Sequence, residues 1–95
     1  METRKLNKND LLETAIEGIE NDIKQIRFSQ LLRICENNFG KYRINGSHHI
    51  FKTPWQGDPR INLQKLKGNL AKPYQVRQVL RALRKLKELE DKKNE

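Results

Sequence analysis

Two adjacent histidines, His48 and His49, stand in Gly46-Ser47-His48-His49-Ile50-Phe51-Lys52 and are the only histidines in the 95-residue chain. An imidazole gives or takes a proton near neutral pH, so either ring can act as a general base or acid. The segment reads as a β-strand after a turn, and the chain around it is strongly basic, with a net charge of +8. A titratable group on a positively charged frame suits chemistry on a polyanion such as RNA. The same pattern also fits one packed and one solvated histidine with no chemistry at all.

Other reactive constellations are missing. The chain has no Cys-x-x-Cys and no His-x-x-x-His, so no zinc site is expected. Gly68 stands alone among lysines and makes no Walker-type phosphate loop. Carboxylates are too scarce in the basic region for a Mg²⁺ site. Ser29 and Ser47 have no acid placed to complete a triad with a histidine. Cys35, the single cysteine, falls on an apolar helix face and reads as a small buried hydrophobe, not a nucleophile. What is left is acid–base chemistry with no metal and no cofactor, or no chemistry.

The charge is unevenly spread. Residues 1–27 carry five basic and six acidic side chains and are close to neutral. Residues 28–87 carry thirteen basic side chains against Glu36 and Asp58, a net +11. Such a concentration favours a nucleic-acid partner, because neutralising phosphates releases counterions. An acidic protein is drawn by the same field. No apolar run approaches the length of a membrane span, and Met1-Glu2-Thr3-Arg4-Lys5 is not followed by the hydrophobic segment of a secretory signal. One cysteine allows no internal disulfide, so a cytoplasmic protein is expected.

The elements that must position the histidines follow from periodicity. Leu12, Ile16, Ile19, Ile23 and Ile26 recur at four- and three-residue spacing, one face of a helix capped by Asn9 or Asp10. Asn21-Asp22 is a possible break after it. Phe28, Leu31, Leu32 and Cys35 define a second helix to about Asn38, ended by Gly40. Three strands are expected: Lys41–Ile44, Ser47–Thr53 and Arg60–Gln64. Asn45-Gly46 is the hairpin dipeptide between the first two, and Pro54–Pro59 is the loop before the third. Pro73 opens a last helix with Val76, Val79, Leu80, Leu83 and Leu86 on its apolar face, and Glu88–Glu95 forms a fraying tail. The order α–α–β–β–β–α is that of an α+β domain, with residues 1–25 as a helical extension and 26–95 as the main body of one compact unit.

Alternation sets the sheet faces. Tyr42, Ile44, Ile61 and Leu63 point toward the helices, and Arg43, Asn62 and Gln64 point away. The middle strand stays open. With Ile50 inward, His48 is inward too; with Phe51 inward, it is His49, because a one-residue slip exchanges the faces. An outward Phe51 could stack a base, while an inward one is core. Trp55 could touch RNA, touch a protein partner or cover the edge of the core.

Gly46-Ser47-His48-His49-Ile50-Phe51, then Ile61-Asn62-Leu63-Gln64, then Ala71-Lys72-Pro73-Tyr74-Gln75-Val76-Arg77-Gln78-Val79 resemble the HicA family of toxins from bacterial type II toxin–antitoxin systems. Ile26-Arg27-Phe28-Ser29-Gln30-Leu31-Leu32 resembles the segment that opens the domain in one branch of that family. The resemblance spans roughly Ile26 to Leu83. It implies a double-stranded-RNA-binding-like α–β–β–β–α fold with an additional N-terminal helix here. It further implies an mRNA-cleaving endoribonuclease whose functional histidine follows a Gly-Ser turn as Gly-Ser-x-His, which maps onto His49. Lys41, Arg43, Ser47, His48, Lys52 and Lys72 are the expected RNA contacts around it. The implied partners are single-stranded mRNA and a HicB-like antitoxin covering the active face, with operator DNA reached only through that antitoxin and no membrane. The N-terminal helix, and Lys65-Leu66-Lys67-Gly68-Asn69 where glycine-rich sequence is common, depart from the family pattern.

Overall fold

A computed structural model describes residues 8–56 and 60–93; Gly57, Asp58 and Pro59 of the expected loop, Met1–Lys5 and the end of the tail fall outside them. Three helices, α1 (Lys8–Asn21), α2 (Phe28–Phe39) and α3 (Pro73–Lys93), accompany a three-stranded antiparallel sheet of β1 (Arg43–Asn45), β2 (His48–Phe51) and β3 (Ile61–Gln64) in the order β1-β2-β3. This is a small α+β fold. No helix among the described residues is long and apolar enough to cross a membrane.

The helical stripes bury as their spacing requires. Leu12, Ile16 and Ile19 of α1, Phe28, Leu31 and Cys35 of α2, and Val76, Val79, Leu80, Leu83 and Leu86 of α3 share one core with Phe51, Ile61 and Leu63 of the sheet. Helix α1 lies on α3, where Glu20 meets Arg84 at 3.0 Å and Glu13 meets Lys87 at 2.9 Å. It starts at Lys8, so Asn9 and Asp10 sit inside its first turn instead of capping it; Asp10 there complements the helix dipole. It stops at Asn21, and a 3₁₀ turn at Ile23–Gln25 leads to α2. From Glu88 the chain continues α3 as far as Lys93 instead of forming the expected tail, behind buried Leu86 and with Lys87 and Asp91 paired at 3.3 Å; Asn94 and Glu95 lie outside the described residues.

The hairpin differs from the expected Asn-Gly turn. Asn45 pairs with His48, so the two central residues are Gly46 and Ser47. Only Gly46 has a positive φ, +63°, the pattern of a type II′ turn with glycine first. The strands are shorter than alternation suggested, and Lys41, Tyr42, Lys52 and Arg60 lie outside them.

Helix α3 also finishes the sheet. The outer edge of β3 would expose unpaired backbone groups. Instead Gln78 Oε1 accepts from the Asn62 backbone N–H at 2.8 Å, and Gln75 Nε2 donates to the Gln64 carbonyl at 2.9 Å. Two side chains one helical turn apart thereby stand in for a neighbouring strand.

Candidate active site

Register decides what alternation left open. Phe51 is fully buried opposite Ile61, so the inward set on β2 is Phe51 and His49. One row across the helix-facing side reads Ile44, His49, Leu63. The rows on the open side read Arg43, Ile50, Asn62 and Asn45, His48, Gln64. Phe51 therefore cannot stack a base. Ile44 has the inward parity, but it overhangs the helices at the sheet margin and is 61% exposed.

His49 is held from three sides. Its Nδ1 donates to the Leu63 carbonyl across the strand pair at 3.2 Å. Its ring meets Tyr42 edge-on at a centroid distance of 4.9 Å and Phe28 at 5.4 Å. A carbonyl only accepts, so this bond requires a proton on Nδ1 and makes Nε2 the ring nitrogen available for proton transfer. The two aromatic rings fix the plane of the imidazole while leaving it half-buried.

Phe28 connects this ring to a basic cleft. Arg27, Phe28, Ser29, Lys65 and Asn69 line a space of about 240 Å³ at the N-terminus of α2. The cleft is tied shut at its base by backbone bonds: Phe28 N–H to the Asn69 carbonyl at 2.9 Å and Ala71 N–H to the Ile26 carbonyl at 2.8 Å. Its two cations and the helix terminus all favour negative charge. Arg27 and Lys65 are absent from the expected contacts. Their signal lay in Ile26-Arg27-Phe28-Ser29 and in the lysine-rich loop, but only folding brings the two segments together.

The other expected residues are distributed over both sides. His48 is on the open face, with Nδ1 donating to Asn62 Oδ1 at 3.0 Å. Ser47 Oγ accepts from Gln64 Nε2 at 2.8 Å beside it. Arg43 shares this open face, opposite from His49, which corrects any picture of Arg43 and His49 converging on one phosphate. Lys41, Lys52 and Lys72 are exposed outside the regular elements. Trp55 is half-buried, edge-on to Phe39 at 6.1 Å and beneath the Lys85 ammonium, 4.7 Å from the ring centroid. Cys35 is fully buried in α2, and burial, with a smaller contribution from the Glu36 charge, pushes its thiol up to about 12. It is no nucleophile near neutral pH. Among the described residues, no three His, Cys, Asp or Glu side chains stand close enough together to hold a metal ion.

The arrangement thus offers an oriented imidazole, a neighbouring cationic cleft and, across the sheet, a second imidazole in a polar row. No family model, no curated protein and no solved structure matches the chain.

Proposed function

We propose that this chain is a HicA-type toxin, an endoribonuclease that cleaves single-stranded mRNA by metal-independent acid–base catalysis and is neutralised by a HicB-type antitoxin. The observation that carries the reading is His49: its proton is held on Nδ1 by the Leu63 carbonyl, its ring is clamped by Phe28 and Tyr42, and a cationic cleft adjoins it. The order α2-β1-β2-β3-α3 agrees with the double-stranded-RNA-binding-like fold that the sequence resemblance implies.

In this mechanism Nε2 of His49 takes the proton of a ribose 2′-hydroxyl. The 2′-oxygen attacks the adjacent phosphorus to form a 2′,3′-cyclic phosphate, the P–O5′ bond breaks, and the 5′-oxygen leaves as a hydroxyl after taking a proton from water. One well-placed imidazole typically contributes ~10²–10⁴-fold. Preorganised cations near the phosphorane add to this, and Arg27 and Lys65, which share a cleft with the Phe28 ring that meets His49, are the candidates. Lys41, Lys52 and Lys72 then guide the flanking strand.

A rival reading is a non-catalytic RNA-binding module. Its supporting observation is the open face, where His48, Arg43, Asn62 and Gln64 form a polar surface around half-buried Ile50 and His49 acts only as packing. Product analysis separates the two. Incubation of single-stranded RNA with the protein in EDTA is expected to give 2′,3′-cyclic phosphate and 5′-hydroxyl ends. Intact RNA, bound but uncut, favours the module; 5′-phosphate and 3′-hydroxyl ends reject the mechanism.

A further inference from the structure

A second cavity lies on the far side of α3 from α1. Trp55, Ile61 and Ala82 form its apolar part, and Arg60, Arg81 and Lys85 surround it, enclosing about 170 Å³. No carboxylate lines it among the described residues. Ile61 and Ala82 are buried, so the floor is rigid, while the three cations are exposed and reach over it.

The charge pattern on α3 sets this cavity apart. Arg84 pairs with Glu20, and Lys87 with Glu13 and Asp91. Arg77, Arg81 and Lys85, spaced i, i+4, i+8 on another stripe of the same helix, have no carboxylate within ion-pair distance among the described residues. Like charges at i, i+4 repel and weaken a helix. A row of three cations with no ion pair among the described residues therefore favours a counter-charge from a ligand. The indole beside it adds a flat π-surface, and Lys85 already lies over that surface as a cation does when nothing else covers it.

We infer that this cavity is a nucleotide subsite for single-stranded RNA, in which a base stacks on Trp55 and the flanking phosphates pair with Arg60, Arg81 and Lys85. The base replaces the Lys85 ammonium on the ring and leaves that ammonium to a phosphate. Single-strand binders combine a basic track with aromatic platforms in this way, because every base has a π-face. Trp55 lies six positions after His49, so their Cα atoms are at most about 22 Å apart. One strand of a few nucleotides can therefore reach both sites. The inference deepens the RNA-cleavage reading and rests on it for the identity of the ligand.

Trp55 is the only tryptophan in the chain, so its fluorescence reports on this cavity alone. The experiment titrates a short single-stranded oligouridylate into a His49→Phe background, which prevents cleavage during the measurement. We expect saturable quenching of Trp55. In Arg81→Gln/Lys85→Gln the affinity at low salt should drop about tenfold, and the slope of log K against log salt should shrink by about 1.4, the loss of two phosphate contacts on a single strand. Arg84→Gln, which removes a charge from the same helix but outside the cavity, should change affinity by no more than about twofold. No quenching, or quenching that the double variant leaves intact, overturns the subsite. Equal quenching by polyglutamate also overturns it and assigns the cavity to an acidic polypeptide. Cleavage without quenching leaves the nuclease reading standing while the subsite falls; quenching by a wild-type chain that does not cut RNA does the reverse.

Discussion

His49 and His48 have the same side-chain chemistry, and only their surroundings give them different roles. Both donate from Nδ1, but His49 bonds a backbone carbonyl between two aromatic rings, whereas His48 bonds a side-chain amide on the open face. A backbone acceptor within a strand pair is the stiffer support. We therefore expect His48→Ala to retain cleavage within about tenfold, the loss of one binding contact, while His49 variants lose a general-base contribution of ~10²–10⁴-fold, measured as single-turnover rates on one oligonucleotide. Cys35 gives a test of burial at the same scale. The native thiol should resist alkylation at neutral pH and react only on unfolding. Its raised pKa also predicts falling stability at alkaline pH. The folded chain keeps the proton up to about 12 while the unfolded thiol loses it from about 9, so the unfolded state binds fewer protons between those values and gains ground. Urea midpoints at pH 8 and pH 10, for wild type and Cys35→Ala, would check this: the decline should be steeper for wild type. The two histidines were legible in the sequence as candidates. Which one faces the helices was not, because alternation alone cannot fix register, and Phe51 settles it only once its burial against Tyr42 and Ile61 is known.

The elements hold these side chains through a few local devices. Gly46 opens the hairpin with a φ of +63°, which a side chain resists. Gly46→Ala should cost about 1–2 kcal/mol in urea unfolding, the usual penalty of left-handed backbone for an L-residue. Gln78 closes the β3 edge by accepting from Asn62 N–H. Gln78→Ala should cost about 0.5–1.5 kcal/mol and should promote self-association through the opened edge, detectable by sedimentation. Helix stripes were easy to read because most of their apolar residues recur at 3.6-residue spacing and bury, as with Leu12, Ile16, Ile19 and Leu83; Ile23 and Ile26, read on the same face as α1, instead lie beyond its end, and Ile23 and Leu32 are only partly buried. Strand limits were harder. Three- and four-residue strands carry little periodicity, so Lys41, Tyr42 and Arg60 looked like strand residues yet lie outside. The edge-capping glutamines were not foreseen, since Gln75 and Gln78 read as ordinary helix residues until β3 lies beside them. Gln75 is 98% removed from solvent, and its Oε1 has no hydrogen-bond partner among the described residues; the structure offers no physical account of that atom.

At the scale of the whole molecule, two halves of different charge share one core. Helix α1, with Lys8 against four carboxylates, packs its Leu12, Ile16 and Ile19 face into the core and uses Glu13 and Glu20 to pair Lys87 and Arg84 of α3, while the body from residue 28 onward keeps a strong excess of basic side chains. Ile19→Ala should therefore destabilise the fold by about 2–5 kcal/mol, the cost of a large-to-small change at a fully buried site, without altering the cleavage rate per folded molecule. RNA binding should weaken steeply with salt, as counterion release requires. If the proposed function holds, the same basic field should also speed association with an acidic antitoxin. The register places His49 on the helix-facing side, so such an antitoxin must reach the margin near Phe28 and Lys65 and not only the open sheet face. The most direct test of the central claim is the single-turnover cleavage rate of a single-stranded RNA by wild type and His49→Phe in EDTA. Phenylalanine keeps a ring between Phe28 and Tyr42 but removes the base. A folded His49→Phe protein that is slower by ~10²-fold or more is the predicted result; a folded variant that cuts RNA at the wild-type rate would contradict the account.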